Sequence, residues 1–276
     1  MVIKQLPGVW WGVLCTVWDV RTVLAIGVGA GDPELLTVQA VEALNRVDVF
    51  FVFDKGESGA DLDEARRAIL LRHAPGEKYR VVEVPDPRRD RQASAYTAAV
   101  TDWRDERAAR LERAIETELT DGGVGAILVW GDPALYDGTI RILDTIIERG
   151  VVELDHRVIP GISSIQLLAA HHRVPLNQVA GSVVVTPGRL LARQLARGLD
   201  DTVTDIVVML DAELVCTRLR GQGFTIYWGA YLGSDDEVLI AGELDQVVDD
   251  IVRTRRELRE RKGWIMDSYL LRRART

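Results

Sequence analysis

Gly-Asp-Pro stands twice in this chain, at Gly31-Asp32-Pro33 and Gly131-Asp132-Pro133, and a third small-residue turn, Pro160-Gly161-Ile162-Ser163-Ser164, follows later. Each turn comes after a short apolar run and before a helical pattern. Glycine lets backbone approach a ligand closely, and the first N–H groups of a helix lack partners within it. An Asp before Pro is confined to extended backbone, so its carboxylate points in a narrow range of directions. Ligands in open α/β sheets sit beyond the carboxyl ends of the strands, where all three turns fall. The pattern predicts one cleft of backbone amides and small side chains, holding a small molecule. Gly27-Val28-Gly29-Ala30-Gly31 also imitates a dinucleotide loop, with Asp48 or Asp54 as the distant acid. Its spacing is G-x-G-x-G rather than G-x-G-x-x-G, which weakens a nicotinamide reading.

The elements that must position these turns are legible as alternating runs. Val23–Val28 is a continuous apolar strand of the kind buried on both faces. Asp32 as N-cap and Pro33 at the first turn predict a helix carrying Leu35, Leu36, Val38, Ala40, Val41 and Leu44. Strands are expected at 47–53, 79–84, 125–130 and 152–159. Helices are expected at 61–72, 94–119, 135–148 and from the third turn to His171. In the long helix a buried stripe of Tyr96, Val100, Trp103, Arg107, Leu111, Ile115 and Leu119 leaves Arg107 to snorkel or pair. Strand and helix thus alternate five times, which predicts a doubly wound α/β domain over residues 23–172. Arg173–Asn177 is the expected hinge. Strands at 182–186, 205–210, 224–229, 238–242 and 264–269, with helices near 190–198, 214–220 and 244–261, predict a second, smaller α/β domain over 173–276.

Bulk properties bound the function. The 276 residues suffice for two domains, and 47% hydrophobic with 28% charged content is ordinary for a globular protein. A net charge of −8 argues against a nucleic-acid footprint. Cys15 and Cys216 lie far apart and make no metal or redox motif, so no metal site is expected and a reducing cytoplasm is the default. Residues 1–22 carry the apolar run Val9–Trp18. The run is too short to span a bilayer, and Pro7, Gly8 and Gly12 break a signal helix. A poorly ordered extension or an early start codon is expected there, with a surface anchor as the alternative.

The full strings add a resemblance. Gly27-Val28-Gly29-Ala30-Gly31-Asp32-Pro33-Glu34-Leu35-Leu36-Thr37, Val129-Trp130-Gly131-Asp132-Pro133-Ala134-Leu135-Tyr136 and Val158-Ile159-Pro160-Gly161-Ile162-Ser163-Ser164 resemble, in order and spacing, the three motifs of the tetrapyrrole methylase family. Asn45–Phe51, Trp130–Asp137, Ile226–Gly233 and Gly263–Asp267 most resemble its deacetylating branch. That branch methylates carbon 1 of precorrin-5 and releases the acetyl group as acetate, giving precorrin-6A in aerobic cobalamin biosynthesis.

The resemblance implies two α/β domains with S-adenosylmethionine in the cleft between them, a homodimer, and a carboxylate-rich tetrapyrrole as acceptor. It implies donor contacts at Ala30, Trp130, Gly131, Asp132, Leu135, Ser163, Ser164, Met209 and Gly229, although Leu135 and Met209 also suit plain core positions. For deacetylation a base must activate water; Asp32, Asp137, His171 and His172 are candidates, with Tyr136 or Tyr231 as donor to the oxyanion. The anionic acceptor suggests a basic rim, with Arg189, Arg193 and Arg197 on one helix face or Arg88, Arg89 and Arg91 in a loop. The run Arg253–Lys262 reads as a solvated face. Another acceptor within the family, a nicotinamide-dependent oxidoreductase and a non-catalytic carrier are the competing readings.

Overall fold

The computed structural model describes residues 20–54, 60–76, 78–87, 96–200 and 202–273. Residues 1–19, with Cys15, and Arg88, Arg89 and Arg91 lie outside them. β1 (Arg21–Gly27) takes in Arg21 and Thr22, which the sequence reading left in the extension. Arg21 is tied down by its Nε–H to the Leu119 carbonyl at 2.8 Å and by Asp121 at 2.8 Å.

The first sheet is parallel throughout. It joins β1, β2 (Val49–Asp54), β3 (Arg80–Pro85), β4 (Val124–Val129) and β5 (Leu154–Ile159) in the order β3-β2-β4-β1-β5. The apolar runs of β1 and β4 put them at the centre, where both faces are covered. One face packs on α3 (Tyr96–Glu118) and α4 (Thr139–Arg149) through Leu111, Ile115, Ile142 and Ile146. The other packs on α1 (Val38–Leu44) and α2 (Ala60–His73) through Ala40, Leu44, Ile69 and Leu70. From β1 the chain crosses to β2 beyond β4; from β4 it crosses to β5 beyond β1. The crossovers diverge between these two neighbours, and a crevice opens at their carboxyl ends. Both Gly-Asp-Pro turns leave from those ends.

The second sheet is mixed, in the order β6-β7-β10-β8-β9. β6 (Val183–Pro187) runs parallel to β7 (Asp205–Met209); β8 (Phe224–Ala230), β9 (Val238–Glu243) and β10 (Asp267–Arg273) pair antiparallel. α6 (Gly188–Arg197) and α7 (Leu244–Lys262) bury Leu191, Val248, Ile251 and Leu258 in the core around Trp228. Between the lobes runs α5 (Ser164–His172). Its Ile165, Leu167 and Leu168 join Ala30 of the first lobe to Val207, Leu232 and Leu270 of the second in one cluster.

Several element limits differ from the sequence reading. Asp32 caps only a 3-10 turn, Pro33–Leu35; Leu36 is extended, and α1 begins at Val38 with Thr37 Oγ1 accepting from Ala40 N at 3.0 Å. α4 begins at Thr139, not Leu135, because Tyr136 adopts a left-handed φ of 54°. The expected helix over 214–220 is a 3-10 turn, Val215–Leu219. β10 starts at Asp267 rather than Trp264; Gly263, at φ 76°, turns the chain so that Trp264, Ile265 and Met266 pack on the second-lobe core before it. Arg107 pairs with Asp86 at 2.9 Å and stacks on Phe53 and Trp103. Arg255 is not on a solvated face: its guanidinium is buried against Asp267 at 2.8 Å.

Candidate active site

Three glycines bring the motif turns into van der Waals contact. A Cβ on Gly161 would lie 2.1 Å from the Gly131 carbonyl oxygen and 2.7 Å from the Gly27 carbonyl carbon. A Cβ on Gly27 would lie 2.6 Å from Gly161 N. No other residue type fits either position. Gly29 and Gly131 add a two-way bridge, at 3.3 and 2.7 Å. The Asp132 carboxylate then locks the second turn to the third: Oδ1 accepts from Ala134 N at 2.8 Å and Oδ2 from Gly161 N at 2.9 Å. Asp132 therefore holds backbone, as the equivalent Asp32 does by accepting from Glu34 N at 2.8 Å.

The third turn leads into α5. Ser163 is buried and caps that helix, its Oγ accepting from Ile165 N at 3.3 Å and bonding to the Gln166 side chain. Ser164 faces the second lobe, its Oγ 3.3 Å from Ser268 Oγ. Ser268 on β10 lies directly between Met209 on β7 and Gly229 on β8. Two donor candidates, Met209 and Gly229, thus share a row with a serine that the sequence reading missed. Strand β10 carries no motif, and only the strand pairing reveals Ser268. A Cβ on Gly229 would meet Leu232 at 2.7 Å and Leu168 at 3.0 Å, so this strand is closely backed. Leu135 and Met209 pack on the junction cluster that includes Ala30. The structure therefore gathers Ala30, Gly131, Asp132, Leu135, Ser163, Ser164, Met209 and Gly229 around the lobe junction.

Beside that row opens a cavity of about 620 Å³. It reaches the first two motif strings at Ala30, Gly31 and Trp130, and its far wall carries His171, Tyr231, Glu237, Lys262 and Trp264. The indole Nε1 of Trp130 is buried without a hydrogen-bond partner among the described residues. A hollow of similar volume beside Arg255 and Arg259 touches none of the motif turns.

The catalytic candidates divide by place. Asp32, His171 and Tyr231 line the cavity. His171 Nδ1 meets Glu237 at 2.7 Å. The Tyr231 hydroxyl donates to the Trp264 carbonyl at 2.6 Å and is therefore already committed; burial raises its pKa, with Lys262 and Arg261 opposing. Tyr136 bridges the lobes instead, its hydroxyl donating to the Val185 carbonyl at 3.1 Å; burial raises its pKa too. Asp137 accepts from Thr139 N at 2.6 Å at the start of α4. His172 turns away: its Nε2 donates to the Trp228 carbonyl at 3.0 Å, its ring stacks edge-on with Tyr227, and burial lowers its pKa.

Electrostatics depart from the basic rim expected. Arg189, Arg193 and Arg197 sit exposed on α6, and Arg197 borders a separate hollow with Val184 and Asp200. The cavity wall itself carries Asp32, Glu64, Asp235, Asp236 and Glu237 against Lys262 and His171. Such a wall suits a cationic ligand better than a carboxylate-rich one. The glycine-rich loop also departs from a dinucleotide site. Gly29 is bridged to Gly131, and the α-helix begins only at Val38, so no long helix N-terminus faces the loop as a pyrophosphate site requires.

Comparison with known proteins bears on the family and the fold. Residues 22–248 match the family model for Tetrapyrrole (Corrin/Porphyrin) Methylases. The chain is 44% identical over 252 residues to Precorrin-6A synthase [deacetylating] of Sinorhizobium sp, covering 91% of this chain and 95% of the relative. Its structure superposes with TM-score 0.77 and 33% identity on a cobalamin synthesis related protein (CobF) from Corynebacterium diphtheriae, covering 92% of this chain and 98% of that one. A uroporphyrin-III C-methyl transferase from Thermus thermophilus, solved with S-adenosyl homocysteine, shares the fold at TM-score 0.54 and 20% identity over 91% and 96% of the two chains.

Proposed function

The chain belongs to the tetrapyrrole (corrin/porphyrin) methylases, and from that premise we propose that it methylates carbon 1 of precorrin-5 and releases the acetyl group as acetate, giving precorrin-6A. The observation that carries this reading is the Sinorhizobium relative, 44% identical across nearly the whole of both chains. The activity is that of an S-adenosylmethionine-dependent methyltransferase, and the donor supplies a methyl group already activated on a positively charged sulfur.

The residues present suit such a donor. Ala30 lines the cavity, Leu135 and Met209 offer apolar surface, and Ser164 with Ser268 offers hydroxyls. The unpartnered Trp130 Nε1–H is free to donate to an oxygen or nitrogen of a guest where the cavity reaches the motif turns. On this reading the donor is held by the row from Gly131 to Gly229, and the acceptor enters the adjoining cavity; the two meet at Ala30, Gly31 and Trp130. What the protein contributes to methyl transfer is orientation. Fixing two reactants in line is worth about 7–11 kcal/mol. Asp132 serves this by fixing the turns.

The same reading makes the protein a cytoplasmic homodimer of two domains, 23–172 and 173–276; no described helix is long and apolar enough to cross a membrane. The test is incubation with precorrin-5 and methyl-labelled S-adenosylmethionine, with separate assay of labelled corrinoid and acetate. Both products are expected in equal amounts. Labelled corrinoid without acetate would assign a different acceptor chemistry within the family, and binding of NADH in place of S-adenosylmethionine in a calorimeter would remove the methyltransferase reading.

A further inference from the structure

Deacetylation needs a base that methyl transfer does not, and one pair of side chains in the cavity has the required form. His171 is the penultimate residue of α5, and its side chain lines the cavity. Its Nδ1 lies 2.7 and 2.9 Å from the two oxygens of Glu237. Glu237 is itself fixed, accepting from Gly233 N at 2.9 Å in the turn after β8. A carboxylate accepts only from a protonated nitrogen, so the neutral ring carries its hydrogen on Nδ1. Nε2 is then a free acceptor, with no hydrogen-bond partner among the described residues. This is the arrangement by which a carboxylate orients a histidine general base. The neighbouring candidates are excluded by their bonds: His172 uses Nε2 on a backbone carbonyl outside the cavity, and Asp137 holds the start of α4. Asp32 shares the cavity, but its carboxylate holds the first turn by accepting from Glu34 N at 2.8 Å.

We propose that His171, oriented by Glu237, is the general base that activates water for removal of the acetyl group. The inference rests on the reaction proposed above. Water oxygen bonds to the acetyl carbonyl carbon as Nε2 of His171 takes one water proton. The bond between that carbon and the ring then breaks, and its electron pair stays with the ring as the nucleophile that accepts the methyl group. Acetic acid leaves and ionises to acetate, and His171 returns its proton to solvent. No redox partner is needed. His171 is the catalytic residue here and Glu237 a positioning residue.

The test compares wild type, His171→Ala and His171→Gln with precorrin-5 and methyl-labelled donor, with and without added imidazole. The expected result is a fall in acetate release on the order of 100-fold in both variants, with affinity for S-adenosylhomocysteine unchanged and partial recovery of His171→Ala by imidazole. Glu237→Gln should lower kcat with KM kept within about two-fold, since it disturbs the tautomer and not binding. Acetate release at the wild-type rate in either His171 variant would overturn the proposal, as would a fall that imidazole does not relieve. Wild-type enzyme that methylates without releasing acetate would instead sink the reaction assigned above, and this base with it.

Discussion

Both oxygens of Asp132 hold backbone, one at Ala134 N and one at Gly161 N. Charge-assisted bonds of this kind are worth about 1.5–3 kcal/mol when one partner is lost. Asp132→Ala is expected to lower stability by about 2 kcal/mol and to weaken S-adenosylmethionine binding, because the two turns it joins come apart. Urea unfolding and calorimetric titration check the pair of effects; weakened binding at unchanged stability would point to direct contact with the donor instead. Cys216 is a second residue with a plain expectation. Burial, with Asp211 and Asp267 nearby, pushes its thiol up to about 12. At pH 8 it should resist iodoacetamide in the folded protein and react only on unfolding, as peptide mapping would show. Much of the site was legible at this scale. Glycine followed by Asp-Pro marks backbone that must bend and approach, and the three turns do meet. Glu237 and Ser268 were not legible, because a loop acid and a strand serine gain their roles only from partners 66 and 104 positions away.

The elements were legible where local pattern and burial coincide. The apolar runs of β1 and β4 announce central parallel strands, and the stripe ending at Leu111, Ile115 and Leu119 announces α3. The starts of α1 and α4 were misplaced for one reason. An Asp that caps a helix and an Asp that closes a short turn make the same bond to N–H two residues on, and only the later backbone distinguishes them. The second lobe hides an ionic element. Arg255 of α7 reaches Asp267 of β10, which also accepts from Trp228 Nε1 at 3.0 Å. Burial pushes the Asp267 carboxyl above its usual range, with Arg255 and Trp228 opposing. A carboxyl whose folded value lies above its unfolded one binds its proton more tightly in the native state. Stability therefore falls as pH rises from the unfolded value, about 3.9, through the folded one. Arg255→Met removes the main opposing group and extends that window upward. We expect a loss of about 3 kcal/mol at pH 7 and a smaller one at pH 4.5 by urea unfolding; an equal loss at both would refute the account.

On the scale of the whole molecule, charge and connectivity matter most. A net charge of −8 and an acidic cavity wall oppose the approach of a carboxylate-rich ring. Screening acts over about 10 Å at 0.1 M salt, so kcat/KM for the corrinoid should rise with ionic strength while donor affinity falls. A kcat/KM that declines with salt would show that a basic surface outside this wall guides the acceptor. Connectivity has a further consequence. The serine turn that adjoins the proposed donor row and the histidine on the cavity wall sit at opposite ends of α5, a single rod of nine residues. On the proposed reaction, bond cleavage and bond formation are therefore geared to one shaft: a substitution that tilts it would mistime both halves of the chemistry, and selection for a new acceptor would have to rebuild the lobes around it and leave the rod in place.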